Sequence, residues 1–269
     1  MMLSYLKILR PSIVFLAAFA VLVGSLIVGY YQPFQILVAV LVVFLVSGAG
    51  NVTNDYYDYE IDRINKPKRV LPAGKMKRKY AALYAATLYA LAVVLAVLFL
   101  NYYMILLALV NITITFFYAW RIKRTPFGHF VATWLASSAF LFGGLLSDIN
   151  AIIVFLFSMA YLADLGREIT KGIEDMEGDK KAGAKTLSIV TGRLFAAWVA
   201  IFFIIFSIII SFIPFLFGLL NIRYLILVTL ADLIFVFSCF VLLINPAKSQ
   251  KIMKIAMFVA IIAFLVGIY

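Results

Sequence analysis

Two short stretches, 55–62 and 164–179, hold ten of the twelve carboxylates in this chain. The first runs Asn54-Asp55-Tyr56-Tyr57-Asp58-Tyr59-Glu60-Ile61-Asp62, an N-x-x-x-D-x-x-x-D pattern. On a helix, residues spaced by four form one stripe that rises about 6 Å per step. Asn54, Asp58 and Asp62 therefore make a ladder of oxygen ligands. Neighbouring carboxylates repel, so such a ladder calls for a cation. Hard oxygen ligands suit Mg²⁺, which takes one or two carboxylates and completes its shell with water and substrate phosphates. Asp55 and Glu60 fall off the stripe, toward solvent or the basic loop that follows. The second stretch contains Lys171-Gly172-Ile173-Glu174-Asp175-Met176-Glu177-Gly178-Asp179, in which Asp175 and Asp179 repeat the pairing and predict a second Mg²⁺ site. Two ions facing each other would clamp a diphosphate and neutralise the charge that grows on it as a C–O bond breaks. Asp58, Asp62, Asp175 and Asp179 are thus the predicted catalytic residues, and with Asn54 the predicted metal ligands.

Basic residues surround both stretches: Arg63, Lys66, Lys68 and Arg69 after the first, Lys180, Lys181 and Lys185 after the second. Lys123 and Arg124 close the fourth predicted helix, and Arg10 precedes the first. Arginine offers phosphate two parallel bonds and lysine a point charge. Arg63, Lys123 and Arg167 rank first for substrate contact, each beside a motif or a helix end, with Arg10 and Lys171 as further candidates. Cytoplasmic loops carry basic residues for topology alone, which is the plainer account of any one of them. Asp164 lies about 16 Å along a continuous helix from Asp175. Two roles stay open for it: orienting or deprotonating an acceptor hydroxyl, or pairing with Arg167. Tyr118, just before the Arg121–Arg124 turn, is the best candidate for a ring that lines an apolar substrate tunnel and stabilises a carbocation through its π face. His129 and Cys239 read as packing residues.

The elements that must position these groups are apolar helices. Of the 269 residues, 66% are hydrophobic and 13% charged, and apolar runs long enough to cross a bilayer recur throughout. Alternation is absent, which excludes a barrel. The expected fold is an all-α, polytopic membrane bundle of nine transmembrane helices, near 12–30, 34–60, 79–100, 103–120, 128–147, 151–178, 193–213, 222–244 and 251–269. The Asp-rich motifs then end helices two and six, on one side. Nine alternating crossings put all 23 lysines and arginines except Arg223 on that side. The positive-inside rule makes it cytoplasmic, with the N-terminus and site inside and Tyr269 outside. The net charge of +11 is thereby accounted for by topology, and no nucleic acid partner is implied. The first run is too long for a signal peptide and reads as a retained span. A single cysteine and a single histidine leave no thiolate or imidazole metal cluster. The whole chain, 1–269, reads as one integral membrane domain with no obligate protein partner.

Asn54, Asp58 and Asp62 precede Lys171, Asp175 and Asp179 by 117 positions each. Both triplets close even-numbered helices, the pattern of a parallel internal repeat facing a shared centre.

At these motifs the chain resembles the intramembrane, UbiA-type prenyltransferase superfamily. The residues that carry the resemblance are NDYYDYEIDRINKPKRVLPAGK and REITKGIEDMEGDKKAGAKTL, with YAWRIKRTPF and Arg10-Pro11 as lesser elements. Within it, R-E-I-x-K-x-I-E-D-x-E-G-D is most similar to archaeal digeranylgeranylglyceryl phosphate synthases. That resemblance implies Mg²⁺-dependent transfer of geranylgeranyl from its diphosphate to the hydroxyl of geranylgeranylglyceryl phosphate, among membrane lipids. Gly172 departs from the aspartate expected there. Prenyl transfer to an aromatic or tetrapyrrole acceptor (quinone, chlorophyll or heme pathways) shares parts of both signatures. A cation-coupled transporter also buries carboxylates, but near the midplane and with broken helices. Gathering them at the cytoplasmic ends favours an enzyme.

Overall fold

The computed structural model describes residues 2–268, so the expected external position of Tyr269 falls outside them. The elements are α1 (Met2–Ile8), α2 (Pro11–Ile27), α3 (Pro33–Tyr57), α4 (Tyr59–Asn65), α5 (Arg78–Phe99), α6 (Tyr102–Trp120), α7 (Gly128–Gly144), α8 (Ala151–Glu174) and α9 (Met176–Lys181). They continue as α10 (Leu187–Thr191), α11 (Arg193–Ser211), α12 (Ile213–Leu216), α13 (Ile222–Ile244) and α14 (Pro246–Gly267). Local sequence sets many of the ends. Asn101, Asn150, Asn221 and Asn245 each accept a backbone N–H of the first turn of α6, α8, α13 and α14. Proline opens α2, α3 and α14, where its missing N–H costs nothing.

Six described helices are long and apolar enough to cross a membrane: α3, α5, α6, α11 with its α12 extension, α13 and α14. The apolar α2 is shorter. The other two of the expected nine spans differ for physical reasons. α7 has 17 residues, and the motif-side half of α8 carries Asp164, Arg167, Glu168 and Lys171. The two motif helices also end earlier than expected. α3 stops at Tyr57 and α8 at Glu174, each followed by a short helix that starts one residue after an aspartate.

Consecutive long helices run in opposite directions, which brings alternate ends together. Where α2, α5, α7 and α14 end and α3, α6, α8 and α13 begin, one cluster unites both halves of the chain, with Val21, Val42, Met104, Phe142, Ile153, Tyr224 and Phe264 in it. The motif end has two separate clusters instead. One joins Ile8, Leu9, Val52, Leu71 and Ala85 of the first half. The other joins Leu165, Ile169, Ala200, Ile204, Leu242 and Met253 of the second. The polar motifs lie where the core divides. At the undivided end α2 and α7 meet backbone to backbone: a Cβ on Gly143 would stand 2.0 Å from the Val21 carbonyl oxygen, so only glycine permits this approach.

Candidate active site

The first motif is positioned by α3 and by the chain before α2. Asn51 Nδ2 donates to the Leu9 carbonyl at 2.8 Å and fixes that segment on α3. Arg10 follows with φ 55, the one non-glycine residue with positive φ among those described. Such a conformation costs on the order of 1–3 kcal/mol and persists where surroundings over-determine it. Here its guanidinium donates to Asp55, which is only 4% exposed. Arg69, returning from the loop, reaches Asp55 at 3.3 Å and Asp62 at 2.5 Å. Asp58 accepts from Lys123 and lies 3.5 Å from Arg124. The Asp58–Asp62 ladder is thus already neutralised by Lys123, Arg124 and Arg69, whose charges occupy the places of a cation. Asn54 Oδ1 is buried without a hydrogen-bond partner. An orphaned oxygen beside carboxylates held by movable cationic side chains suits a hard divalent ion. Among the described residues no three His, Cys, Asp or Glu side chains converge, so each motif supplies at most a partial ligand set.

The second motif repeats the backbone of the first. Asp58 closes α3 at φ −85, ψ 0 and opens α4; Asp175 closes α8 at φ −83, ψ −1 and opens α9. The same i to i−4 bonds flank both breaks. Asp58 N donates to Asn54 O at 3.0 Å and Asp62 N to Asp58 O at 2.8 Å. Asp175 N donates to Lys171 O, and Asp179 N to Asp175 O, both at 2.9 Å. The triplets therefore share one bent-helix design. Their electrostatics differ: Asp175 is exposed and Asp179 half-buried, and among the described residues neither forms an ion pair. Burial, then the neighbouring Asp175, raises the pKa of Asp179 against the pull of Lys66, Lys123 and Lys171. Lys66 and Lys123 come from the first half, so the motifs face each other. Burial lowers the pKa of Lys123, opposed by Asp58. Lys185 N donates to Arg124 O at 2.8 Å and latches the loop after the second motif onto the Lys123 turn.

Inward from Asp175, α8 presents a single stripe at heptad spacing: Asp175, Lys171, Glu168, Asp164, Tyr161 and Phe157. Intervals of four and three keep these on one face. Arg167 bridges the two middle carboxylates, at 2.7 Å from Asp164 and 2.5 Å from Glu168. Tyr118 of α6 lies within electrostatic reach of Glu168, Asp58 and Asp179, which places it between the motifs. Deeper still, Phe157 packs edge-on to Trp134, 5.7 Å between centroids, and beside Tyr161 at 6.1 Å. From the motif inward the layers run carboxylates with lysines, then Asp164–Arg167–Glu168, then aromatic rings.

The family model for UbiA prenyltransferases matches residues 13–262. The chain belongs to the UbiA prenyltransferase family. It is 39% identical to the digeranylgeranylglyceryl phosphate synthase of Methanosarcina mazei, with 98% of each chain covered. It is 37% identical to that of Thermococcus kodakarensis, over 98% of this chain and 97% of the relative. A solved structure described as digeranylgeranylglyceryl phosphate synthase superposes with a TM-score of 0.88 at 37% identity, covering 99% of this chain and 98% of that one. A UbiA homolog from Archaeoglobus fulgidus bound to DMAPP and Mg²⁺ shares the fold, with a TM-score of 0.77 at 20% identity over 98% of this chain and 99% of that one. The chain is a multi-pass membrane protein of this family.

Within this UbiA-family frame, most sequence-predicted residues converge: Asn54, Asp58, Asp62, Arg10, Lys123 and Tyr118 from the first half, Asp164, Arg167, Lys171, Asp175 and Asp179 from the second. Arg63 does not. Its side chain is 60% exposed and pairs with Glu60 at 3.6 Å, because α4 turns it outward while Arg69 returns to the motif. Asp55 faces the basic loop through Arg69, yet it is buried rather than at the solvent edge. Asp164 pairs with Arg167, one of its two expected roles. Sequence reasoning names Arg69 and Arg124 only among the surrounding basic residues, ranking Arg63 above them, and gives Glu168 no role; the heptad spacing of Glu168 from Asp175 is the one signal available for it. Gly172, where aspartate was expected, is explained by His129: a Cβ there would stand 2.6 Å from Cε1 of the imidazole.

Proposed function

We propose that this UbiA-family chain transfers geranylgeranyl from geranylgeranyl diphosphate to the hydroxyl of geranylgeranylglyceryl phosphate, releasing diphosphate. The observation that carries this reading is the pair of matching bent-helix carboxylate motifs facing each other across a basic turn. The full-length likeness to digeranylgeranylglyceryl phosphate synthases supplies the acceptor. Asn54, Asp58 and Asp62 would hold one Mg²⁺ and Asp175 and Asp179 a second, with water and phosphate oxygens completing each shell. Bound Mg²⁺ supplies the positive charge that binds the diphosphate and stabilises it as a leaving group. Lys123 and Arg124, paired with Asp58 and beside the second motif, are placed to take phosphate oxygens, with Arg10, Arg69 and Lys171 around them. Tyr118 and the Trp134–Phe157–Tyr161 layer receive the allylic carbons and shield them from water through their π faces.

The topology that fits this chemistry is nine crossings of the cell membrane in one domain, 1–269, with the N-terminus and the site on the cytoplasmic side. Both substrates then reach the site from the leaflet in which they are dissolved, their headgroups at the basic loops. Purified protein in liposomes with Mg²⁺, labelled geranylgeranyl diphosphate and geranylgeranylglyceryl phosphate tests the reading. A labelled diether with stoichiometric diphosphate supports it. Transfer only to an aromatic acid overturns the acceptor, and no diphosphate release with any acceptor overturns the reaction.

A further inference from the structure

The acid–base layer of α8 contains groups that diphosphate binding leaves unused. Asp164, Arg167 and Glu168 sit in a helix among apolar neighbours, where ionisable groups are expensive and mark function. Their formal charges sum to −1. Lys171, 3.9 Å from Glu168 Oε2 and half exposed, supplies the balancing charge from the motif side.

The two carboxylates are not equivalent. Asp164 is 8% exposed at its side chain and accepts from Arg167 at 2.7 Å, through Nε and again as an ion pair with Nη2. Glu168 is 19% exposed and accepts from Arg167 at 2.5 Å through Oε1 alone. Among the described residues its Oε2 accepts no hydrogen bond, and Lys171 stands 3.9 Å from it. Tyr118 of α6 and His129 of α7 come within electrostatic reach of this carboxylate from the opposite walls. Position separates the two further. Glu168 is one heptad from Asp175, about 10 Å inward and within roughly 20° of the same face. A prenyl diphosphate anchored at the motif points its chain away from water, so its first carbon lies just inward of the phosphates. That is the level of Glu168; Asp164 lies about 6 Å deeper.

We infer that Glu168 is the base that takes the proton of the acceptor hydroxyl, held in place by Arg167 and Asp164. This rests on the prenyl-transfer reading above. In the step, the bond between the first prenyl carbon and the diphosphate oxygen breaks, and its electron pair leaves with diphosphate. The acceptor oxygen forms the new C–O ether bond, and its proton passes to Oε2 of Glu168.

The test measures two rates in purified protein with Mg²⁺ and geranylgeranyl diphosphate: transfer to geranylgeranylglyceryl phosphate, and diphosphate release to water without acceptor. Glu168→Gln is expected to slow transfer by about a hundredfold or more, the scale of a lost general base, and to slow release far less. Prenyl alcohol then replaces ether among its products. Glu168→Asp, a shorter base, recovers part of the transfer and carries the same comparison if the glutamine variant does not fold. Transfer by Glu168→Gln within about threefold of wild type overturns the inference, as does an equal loss of transfer and release, which marks a structural or leaving-group role. Wild-type protein that releases diphosphate but makes no diether removes the acceptor reading first, and this inference with it.

Discussion

Replacing Asp58 by asparagine probes the pairing at the centre of the site, and its cost follows from burial. The Asp58 side chain is 11% exposed and that of Lys123 22%, so the change leaves a largely enclosed ammonium without its counter-charge. Breaking a fully buried pair costs about 3–5 kcal/mol. The remaining access of water to Lys123 reduces this to roughly 2 kcal/mol. In a chain of this size that is a fall in Tm of about 5 °C. Burial already lowers the pKa of Lys123 and Asp58 opposes it, so the variant's lysine loses its proton at lower pH than the wild type's. Adding Lys123→Met to Asp58→Asn removes the unpaired charge and restores most of the loss, while Arg124, 39% exposed, stays hydrated. Thermal unfolding in detergent, with and without Mg²⁺, measures wild type, Asp58→Asn, Lys123→Met and the double variant. Wild type gains stability with Mg²⁺ and Asp58→Asn gains less. Neither the single nor the double variant transfers prenyl groups. An Asp58→Asn protein that melts with the wild type, or a double variant whose loss equals the sum of the singles, refutes the reasoning.

Arg63→Ala should leave transfer near wild type, because its side chain is exposed and paired outward, whereas Arg69→Ala should depress it by releasing Asp55 and Asp62; steady-state rates of the two decide. Asp179 has a raised pKa, so its charged form opposes folding in the absence of metal. Asp179→Asn should therefore raise Tm in chelator at neutral pH, a gain that disappears as the pH falls through the Asp179 pKa toward the ordinary carboxylate range. A Tm gain that is independent of pH would contradict the assignment. Gly143→Ala forces α2 and α7 apart where a Cβ would stand 2.0 Å from a backbone oxygen. The expected cost is about 3 kcal/mol, the upper part of the overpacking range, read as a lower Tm and poor expression.

Much of this architecture is legible in the sequence, because hydropathy and helical spacing are local. Apolar length gives the long helices, and spacing by four gives both carboxylate ladders. The breaks at Asp58 and Asp175 are not legible, since the spacing by four of the carboxylates is the same on an unbroken helix and bonds of that spacing flank each break. The choice of Arg69 over Arg63 depends on the path of the 66–77 loop, which spacing does not encode. Glu168 is legible only when its helix is read as one face rather than residue by residue. The contact of His129 with Gly172 joins positions far apart in the chain and has no local signal.

The division of the apolar core has a mechanical consequence. At one end a continuous cluster clamps both halves of the chain; at the motif end each half keeps its own. The bundle is thus built like a clothes-peg, with its spring at the far end and its jaws at the carboxylates. Spreading the jaws breaks the Lys185–Arg124 bond and rearranges charged contacts that water can replace, while little apolar surface is uncovered. Resistance to opening is therefore concentrated at the end away from the carboxylates, where the shared apolar cluster lies.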